Sequence, residues 1–421
     1  MARYDLTALR ILLTSTVLAG PALADPLIID ETSLREDRLA PGLYPAAPVP
    51  EAFALPSEPG HPPLEIDWSV GLKGSYSSTT SGERFVTTLN PAISATHQGV
   101  RTDLVLQGDA ELARDTDGTL GATGLDLDFA ATTRLDRDTT ARGGASLNLS
   151  RDLASTPGLD PVIIEPPLSV TGRLEGGIDR QFGKFNLGLD GAIARTVYGP
   201  TTRSDTGVTD NSSQNVWEGD ATLRLGFQAT PIIEVFTEAG LGRDWYDGTG
   251  AGGVKADATS RTLRAGLAGQ WNGLVSASAS VGIGQHDFDN ASLNDITTRL
   301  YDASITYTPD PTLNLTAALA TTVKPTGADS TGTVRVAHTA SASLGYTVNS
   351  WLRLRASADW ARSWLEGSTE TEQRHGAGIG ADYKVNAHTA VSADYGYAHR
   401  DNSASGVLES HTVSLGVTVR R

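Results

Sequence analysis

From residue 65 onward the chain alternates apolar and polar side chains with a period of two, in stretches well beyond the usual strand of about 5–6 residues. That period belongs to extended backbone, whose successive side chains point to opposite faces. In 215–229, Trp217, Ala221, Leu223, Leu225 and Phe227 share one face, against Glu218, Asp220, Thr222, Arg224, Gly226 and Gln228. In 351–362, Leu352, Leu354, Ala356, Ala358 and Trp360 oppose Arg353, Arg355, Ser357 and Asp359. Residues 274–284 set Val275, Ala277, Ala279, Val281 and Ile283 against serines and glycines, and 103–113 set Leu104, Leu106, Ala110 and Leu112 against Gln107, Asp109 and Glu111. No 3.6-residue apolar stripe of comparable length accompanies them. The fold class is all-β.

Tight turns are expected near Gln98-Gly99, Asp136-Arg137, Gly183-Lys184, Thr230-Pro231, Asn272-Gly273, Asp310-Pro311, Asn349-Ser350 and Asn386-Ala387. Longer polar loops are expected between them, at 154–167, 200–214, 247–258, 287–295 and 326–332. The unit is long strand, long loop, long strand, tight turn, which gives about 18 strands, within a range of about 16–18. A recurrence near 40 residues also fits a β-propeller, but a blade holds four short strands and each unit here holds two long ones.

The polar face carries full charges of both signs at mid-strand, and the apolar face is thin, rich in Ala and Gly. A soluble core would need bulkier residues to reach interior packing density, whereas lipid tails need no such fit. Aromatics recur at strand ends. Trp68 and Tyr76 share a face, as do Trp217 and Phe227. Separations of 8–10 residues, on a strand tilted by ~40°, span on the order of 20–25 Å, the height of an apolar band between interface girdles. Trp271, Tyr307, Tyr346, Trp351 and Tyr383 fall near turns; Trp245, Tyr246, Trp360, Trp364 and Tyr397 fall near loops. A bilayer requires a closed sheet, so the expectation is a transmembrane antiparallel up-and-down β-barrel over 65–421, with turns in the periplasm and loops outside.

Residues 1–24 read as a secretory signal peptide, with Arg3 and Arg10 ahead of the apolar Ile11–Ala19 and cleavage after Ala24. Residues 25–64 hold nine of the 20 prolines and read as a periplasmic tail or linker. The chain has no Cys, which removes disulfides, thiolate metal sites and Cys nucleophiles. Its net charge of -16 argues against nucleic acid as a partner.

With its signal peptide, alternating strands and final strand Thr412–Val419, the chain resembles the β-barrel porin families of Gram-negative outer membranes. The resemblance implies an outer-membrane protein that passes small solutes, contacts lipid and is delivered by the barrel insertion machinery. Such barrels usually end in an aromatic residue, and this chain ends in Arg420-Arg421.

Barrels of this size generally enclose an aqueous channel. Candidate pore-lining residues are Asp109, Glu111, Asp126, Asp128, Glu218, Asp220, Arg224, Glu234, Glu238, Arg264, Arg335, Arg353, Arg355, Asp359, Asp382 and Asp394. Asp67, Glu175, Asp190, Lys73, Arg134, Arg173 and Lys384 share the same face. Facing rows of opposite sign would orient polar solutes, and the acidic excess predicts weak cation preference; the same charges could instead pair across strands and stabilise the wall. Candidate interface aromatics are Trp68, Tyr76, Trp217, Phe227, Trp271, Trp351 and Trp360. No metal or cofactor motif is present, and neither Gly240-Leu241-Gly242 nor Gly282-Ile283-Gly284 precedes a helix, so no cofactor is expected. Ser410-His411, opposite His399, is the one pairing worth testing as a hydrolase dyad. The expectation is a porin for passive diffusion, not an enzyme, with a blocked structural or interaction barrel as the alternative and a barrel hydrolase as a third reading.

Overall fold

The structure, a computed structural model, describes residues 64–421 except 81, 116–117, 119, 153–161, 251–252, 327–332 and 405. The proposed signal peptide and nearly all of the Pro-rich segment lie outside the described residues. The first strands are β1 (Glu65–Thr79), β2 (Gly82–Gln98), β3 (Thr102–Asp115), β4 (Leu120–Arg134), β5 (Thr139–Ser150), β6 (Ile163–Glu165) and β7 (Ser169–Phe182). Then come β8 (Phe185–Tyr198), β9 (Thr201–Arg203), β10 (Gly207–Thr209), β11 (Val216–Thr230), β12 (Ile233–Tyr246), β13 (Ala258–Trp271) and β14 (Val275–Phe288). The last are β15 (Ile296–Asp310), β16 (Leu313–Pro325), β17 (Val334–Thr347), β18 (Leu352–Glu366), β19 (Thr371–Lys384), β20 (Thr389–Asn402) and β21 (Gly406–Arg420).

Eighteen long strands form one sheet. Each pairs antiparallel with its long neighbours in the chain, and β21 returns to β1 from Thr79↔Ser410 to Ser69↔Arg420. The sheet is therefore a closed up-and-down barrel, as expected, and closure pairs the backbone around the wall except where β15 and β16 part above Asp302↔Ala320. The short β6, β9 and β10 form a separate three-stranded sheet in the loops.

The turns follow local chemistry. In Trp271-Asn272-Gly273-Leu274 both central residues have positive φ, 51° and 68°, the combination that matches the strand twist of a two-residue hairpin. Asp136, Asn349 and Asn386 each accept the N–H two residues ahead, at 2.8, 3.0 and 2.8 Å, closing three turns in the same way. Before Pro311, Asp310 Oδ1 accepts the N–H groups of Thr312 and Leu313. The opposite end departs from strict alternation, because four of its connections, around 80–81, 116–119, 367–370 and 403–405, are short. Gly82, Gly118, Gly367 and Gly406 sit there at positive φ, where a side chain would be strained.

The apolar face is the exposed one. Ile66, Trp68, Leu72 and Tyr76 on β1, and Leu223, Leu225 and Phe227 on β11, are between two-fifths and just over half exposed, and the pattern repeats around the barrel. Water would not tolerate a continuous apolar belt of this extent, since soluble monomers rarely expose more than a few hundred Å² together. Ser75 and Ser77, between the exposed positions of β1, are buried on the inward face.

Candidate channel lumen

All sixteen candidate lining residues lie on the face opposite the exposed apolar one, and the structure joins many of them through arginines placed between two carboxylates. Arg224 Nη1 donates to Glu238 at 2.8 Å and its Nη2 to Glu234 at 2.9 Å, while its guanidinium lies 3.6 Å from the centroid of Phe236. Phe236 is inward-facing and 4% exposed, so an aromatic ring on the polar face fixes the arginine between its two acids. Arg142 reaches Asp179 at 2.8 Å and Asp190 at 2.7 Å; Arg173 reaches Glu175 at 3.2 Å and Asp220 at 3.6 Å. Arg355 meets Asp382 and Asp394, each at 2.8 Å. Several contacts skip a strand, as from β5 to β8 and from β18 to β20, so they depend on register rather than on adjacent pairing.

The signs are unevenly distributed. From β3 to β12 the inward face carries Asp109, Glu111, Asp126, Asp128, Glu175, Asp190, Glu218, Asp220, Glu234 and Glu238, and Arg142, Arg173 and Arg224 there each meet two acids. Asp109 stands directly opposite Asp126, and Asn148 donates to Asp126 at 2.5 Å. On β16–β20 the balance reverses, with Lys324, Arg335, Arg353, Arg374 and Arg400 on the inward face. Here a single carboxylate, Glu372, serves two cations, Arg374 at 3.2 Å and Arg400 at 2.8 Å. An acidic arc thus faces a basic arc. Arg264 and Asp359 lie inward on β13 and β18.

Sequence reasoning left out Arg142, Asp179, Asp244, His286, Asp302, Lys324, Glu372, Arg374 and Arg400 from this face. The alternation carried that signal for Asp179, Asp244, His286, Glu372, Arg374 and Arg400, which share parity with residues of the same strand already assigned inward; Arg142, Asp302 and Lys324 lie on strands where no inward residue had been assigned. The seven candidate interface aromatics all lie on the outward face; Trp68, Tyr76, Trp217, Phe227, Trp271 and Trp351 are about two-fifths to one-half exposed, and Trp360 is half-buried. Tyr246 differs from its neighbour Trp245: it points inward and is 7% exposed, because adjacent strand residues cannot share a face. The same rule separates Ser410 from His411. Ser410 is buried on the inward face, whereas outward His411 meets the Tyr395 hydroxyl at 2.9 Å, so the two do not form a dyad.

At the loop end, outward arginines grip acidic loop residues. Arg195 pairs with Asp247 through both terminal nitrogens and lies 5.3 Å from the centroid of Trp217; Arg243 pairs likewise with Asp289. Guanidinium donation holds each of these carboxyls below its ordinary range.

Residues 62–421 match the family model described as Putative beta-barrel porin 2. The chain belongs to this family. It is a β-barrel porin of the outer membrane, a transport barrel whose outward face meets lipid. Among solved structures it is similar to OpdK of Pseudomonas aeruginosa with vanillate, at 9% identity and a TM-score of 0.41, covering 85% of this chain and 99% of that one. OccK3 (OpdO) of the same organism is 13% identical with a TM-score of 0.42, covering 85% and 96%. A mutant of its ferric enterobactin receptor PfeA is 7% identical with a TM-score of 0.45, covering 85% and 80%. No curated protein matches the chain in sequence. The assignment of this porin rests on the family match.

Proposed function

We propose that this porin lets small hydrophilic solutes diffuse passively through its lumen with a weak preference for cations, and that the inward charges identified above line the path. One observation carries the selectivity. On the acidic arc each bridging arginine neutralises only one of its two carboxylates, as Arg224 does between Glu234 and Glu238, so each such cluster retains a negative charge. The opposing basic arc turns the residual field across the channel, a geometry that orients dipolar solutes. The outward aromatics would anchor the barrel at the two membrane interfaces.

The test is single-channel conductance in planar bilayers on protein whose gel mobility is heat-modifiable. Discrete long-lived steps, with a reversal potential of mild cation preference under a salt gradient, are expected. Silence from folded protein would sink the diffusion reading and favour an interaction barrel. The loop sheet β6–β9–β10 supports that second reading, because Thr201 and Asn211 at the rim are almost fully buried and joined at 2.9 Å. We read residues 1–24 as a signal peptide cleaved after Ala24, 25–64 as a periplasmic tail, and β21 as the strand met by the insertion machinery. Sequencing the N-terminus of membrane-extracted protein checks the cleavage.

A further inference from the structure

The ladder between β15 and β16 stops at Asp302↔Ala320, yet β15 runs on to Ile296 and β16 to Pro325. Their other edges stay paired, β15 with β14 to Ile296↔His286 and β16 with β17 to Pro325↔Val334. The two strands therefore part in the loop-end half of the wall. Where they part, the Tyr301 N–H donates to Thr321 Oγ1 at 3.2 Å, a side chain taking the place of a ladder carbonyl. The parting forms a recess of about 230 Å³.

Its lining is divided in character. Ile296 and Leu300, 8% and 3% exposed, give it an apolar side. Arg264 and Lys324 give it two cations. Among the described residues neither makes an ion pair, unlike Arg142, Arg173, Arg224 and Arg355. Glu238, which stands opposite Arg264 in register, is held by Arg224 at 2.8 Å. Asp302 lies on the same wall, one inward position further toward the turns. Lys324 stands directly opposite Arg335, and like charges facing each other across a ladder are destabilising. His286, 5% exposed, also lines the recess; its Nε2 has no hydrogen bond, with Asp244 3.9 Å away.

We propose that this recess is a binding site for a small organic carboxylate, with the carboxylate between Lys324 and Arg264 and an apolar body against Ile296 and Leu300. An anion there relieves the Lys324–Arg335 repulsion, and the opened ladder gives the body room that an unbroken wall lacks. The proposal rests on the porin reading, since the solute arrives through the lumen.

The test is isothermal titration of the full chain folded in detergent micelles, with benzoate, acetate and inorganic phosphate as probes. Benzoate is expected to bind at least about tenfold more tightly than acetate, and R264Q/K324Q to weaken it by about tenfold or more. K324Q alone serves if the double variant lacks heat-modifiable mobility, and R137Q, in a distant turn, is the control. No benzoate binding to folded protein, unchanged affinity in the variants, or phosphate binding more tightly than benzoate would each overturn the proposal. Titration needs no open channel, so a barrel silent in bilayers that still binds benzoate refutes diffusion and keeps the site.

Discussion

The neighbours Thr222 and Leu223 separate the two faces in one experiment. Leu223 is 47% exposed on the outward face, and Thr222 faces inward between Asp190 and Gly240 in register. On β11, Leu223 lies six residues from Trp217 and four from Phe227, or about 15 Å and about 10 Å along the membrane normal on a strand tilted by ~40°. That is near mid-bilayer, where an outward arginine costs about 2–4 kcal/mol, against about 0–1 at the interfaces. Leu223→Arg should therefore lower the folded-to-unfolded ratio by on the order of 30- to 700-fold. Thr222→Arg places the same cation opposite Asp190 in the lumen; it should leave stability within about 0.5 kcal/mol and lower cation preference. Reversible denaturation in phospholipid vesicles, followed by tryptophan fluorescence, measures both. The native Arg195 supports the depth argument, because it sits beside Trp217 in register, at the girdle rather than below it. If Leu223→Arg costs no more than Thr222→Arg, the outward face does not meet lipid and the reasoning fails.

Arg224→Gln strips the shared cation from Glu234 and Glu238; cation preference should rise in reversal-potential measurements, with a stability loss of about 1 kcal/mol for these partly exposed pairs. Gly273→Val forces a β-branched residue to a φ of 68° and should cost about 1–2 kcal/mol in chemical denaturation. The rim should loosen in acid. The carboxyls of Asp247 and Asp289 titrate below their ordinary value because Arg195 and Arg243 donate to them. Their contribution is complete above the unfolded carboxylate value of about 4 and is lost as pH falls through the lower folded value. Hydrogen-exchange protection in 247–257, relative to the intrinsic exchange rate at each pH, should fall over that window, and Arg195→Gln should remove that fall around Asp247; protection independent of pH in the unaltered protein would count against the pairing.

The barrel was legible because its determinants are local. Parity along each strand separates Trp68 and Tyr76 from Asp67 and Lys73, and Asx and Pro residues mark the turns before any partner is known. The Ser410-His411 pairing could have been set aside on the same ground, since consecutive strand residues face opposite sides. The four short loop-end connections also had a signal in their glycines, but a glycine marks positive φ only once the backbone path is known. The lumen contacts had no such signal. Arg142 and Asp190 are 48 residues apart and meet over an intervening strand, which requires register and sheet twist together.

The recess shows most clearly where local reading ends. β16 keeps the period of two and β15 shifts phase at Leu300-Tyr301, where an inward apolar residue precedes an outward one, yet neither strand alone reports that the two part above Asp302↔Ala320. Parting is a property of the pair. In a closed barrel nearly every backbone group is committed to a neighbour, which leaves the wall few ways to form a concave site without losing hydrogen bonds in the bilayer. Ending one ladder early near the loop end, with Thr321 bonding the Tyr301 amide, is such a way. Gly284 on the adjacent β14 adds to the space, as it lines the recess without a side chain. The Gly282-Ile283-Gly284 segment, excluded as a phosphate cradle because no helix follows it, thereby gains a structural reason for its glycines: Gly284 leaves the recess open beside Leu300, and Gly282 lies too close to the Leu263 carbonyl and Arg264 for a Cβ.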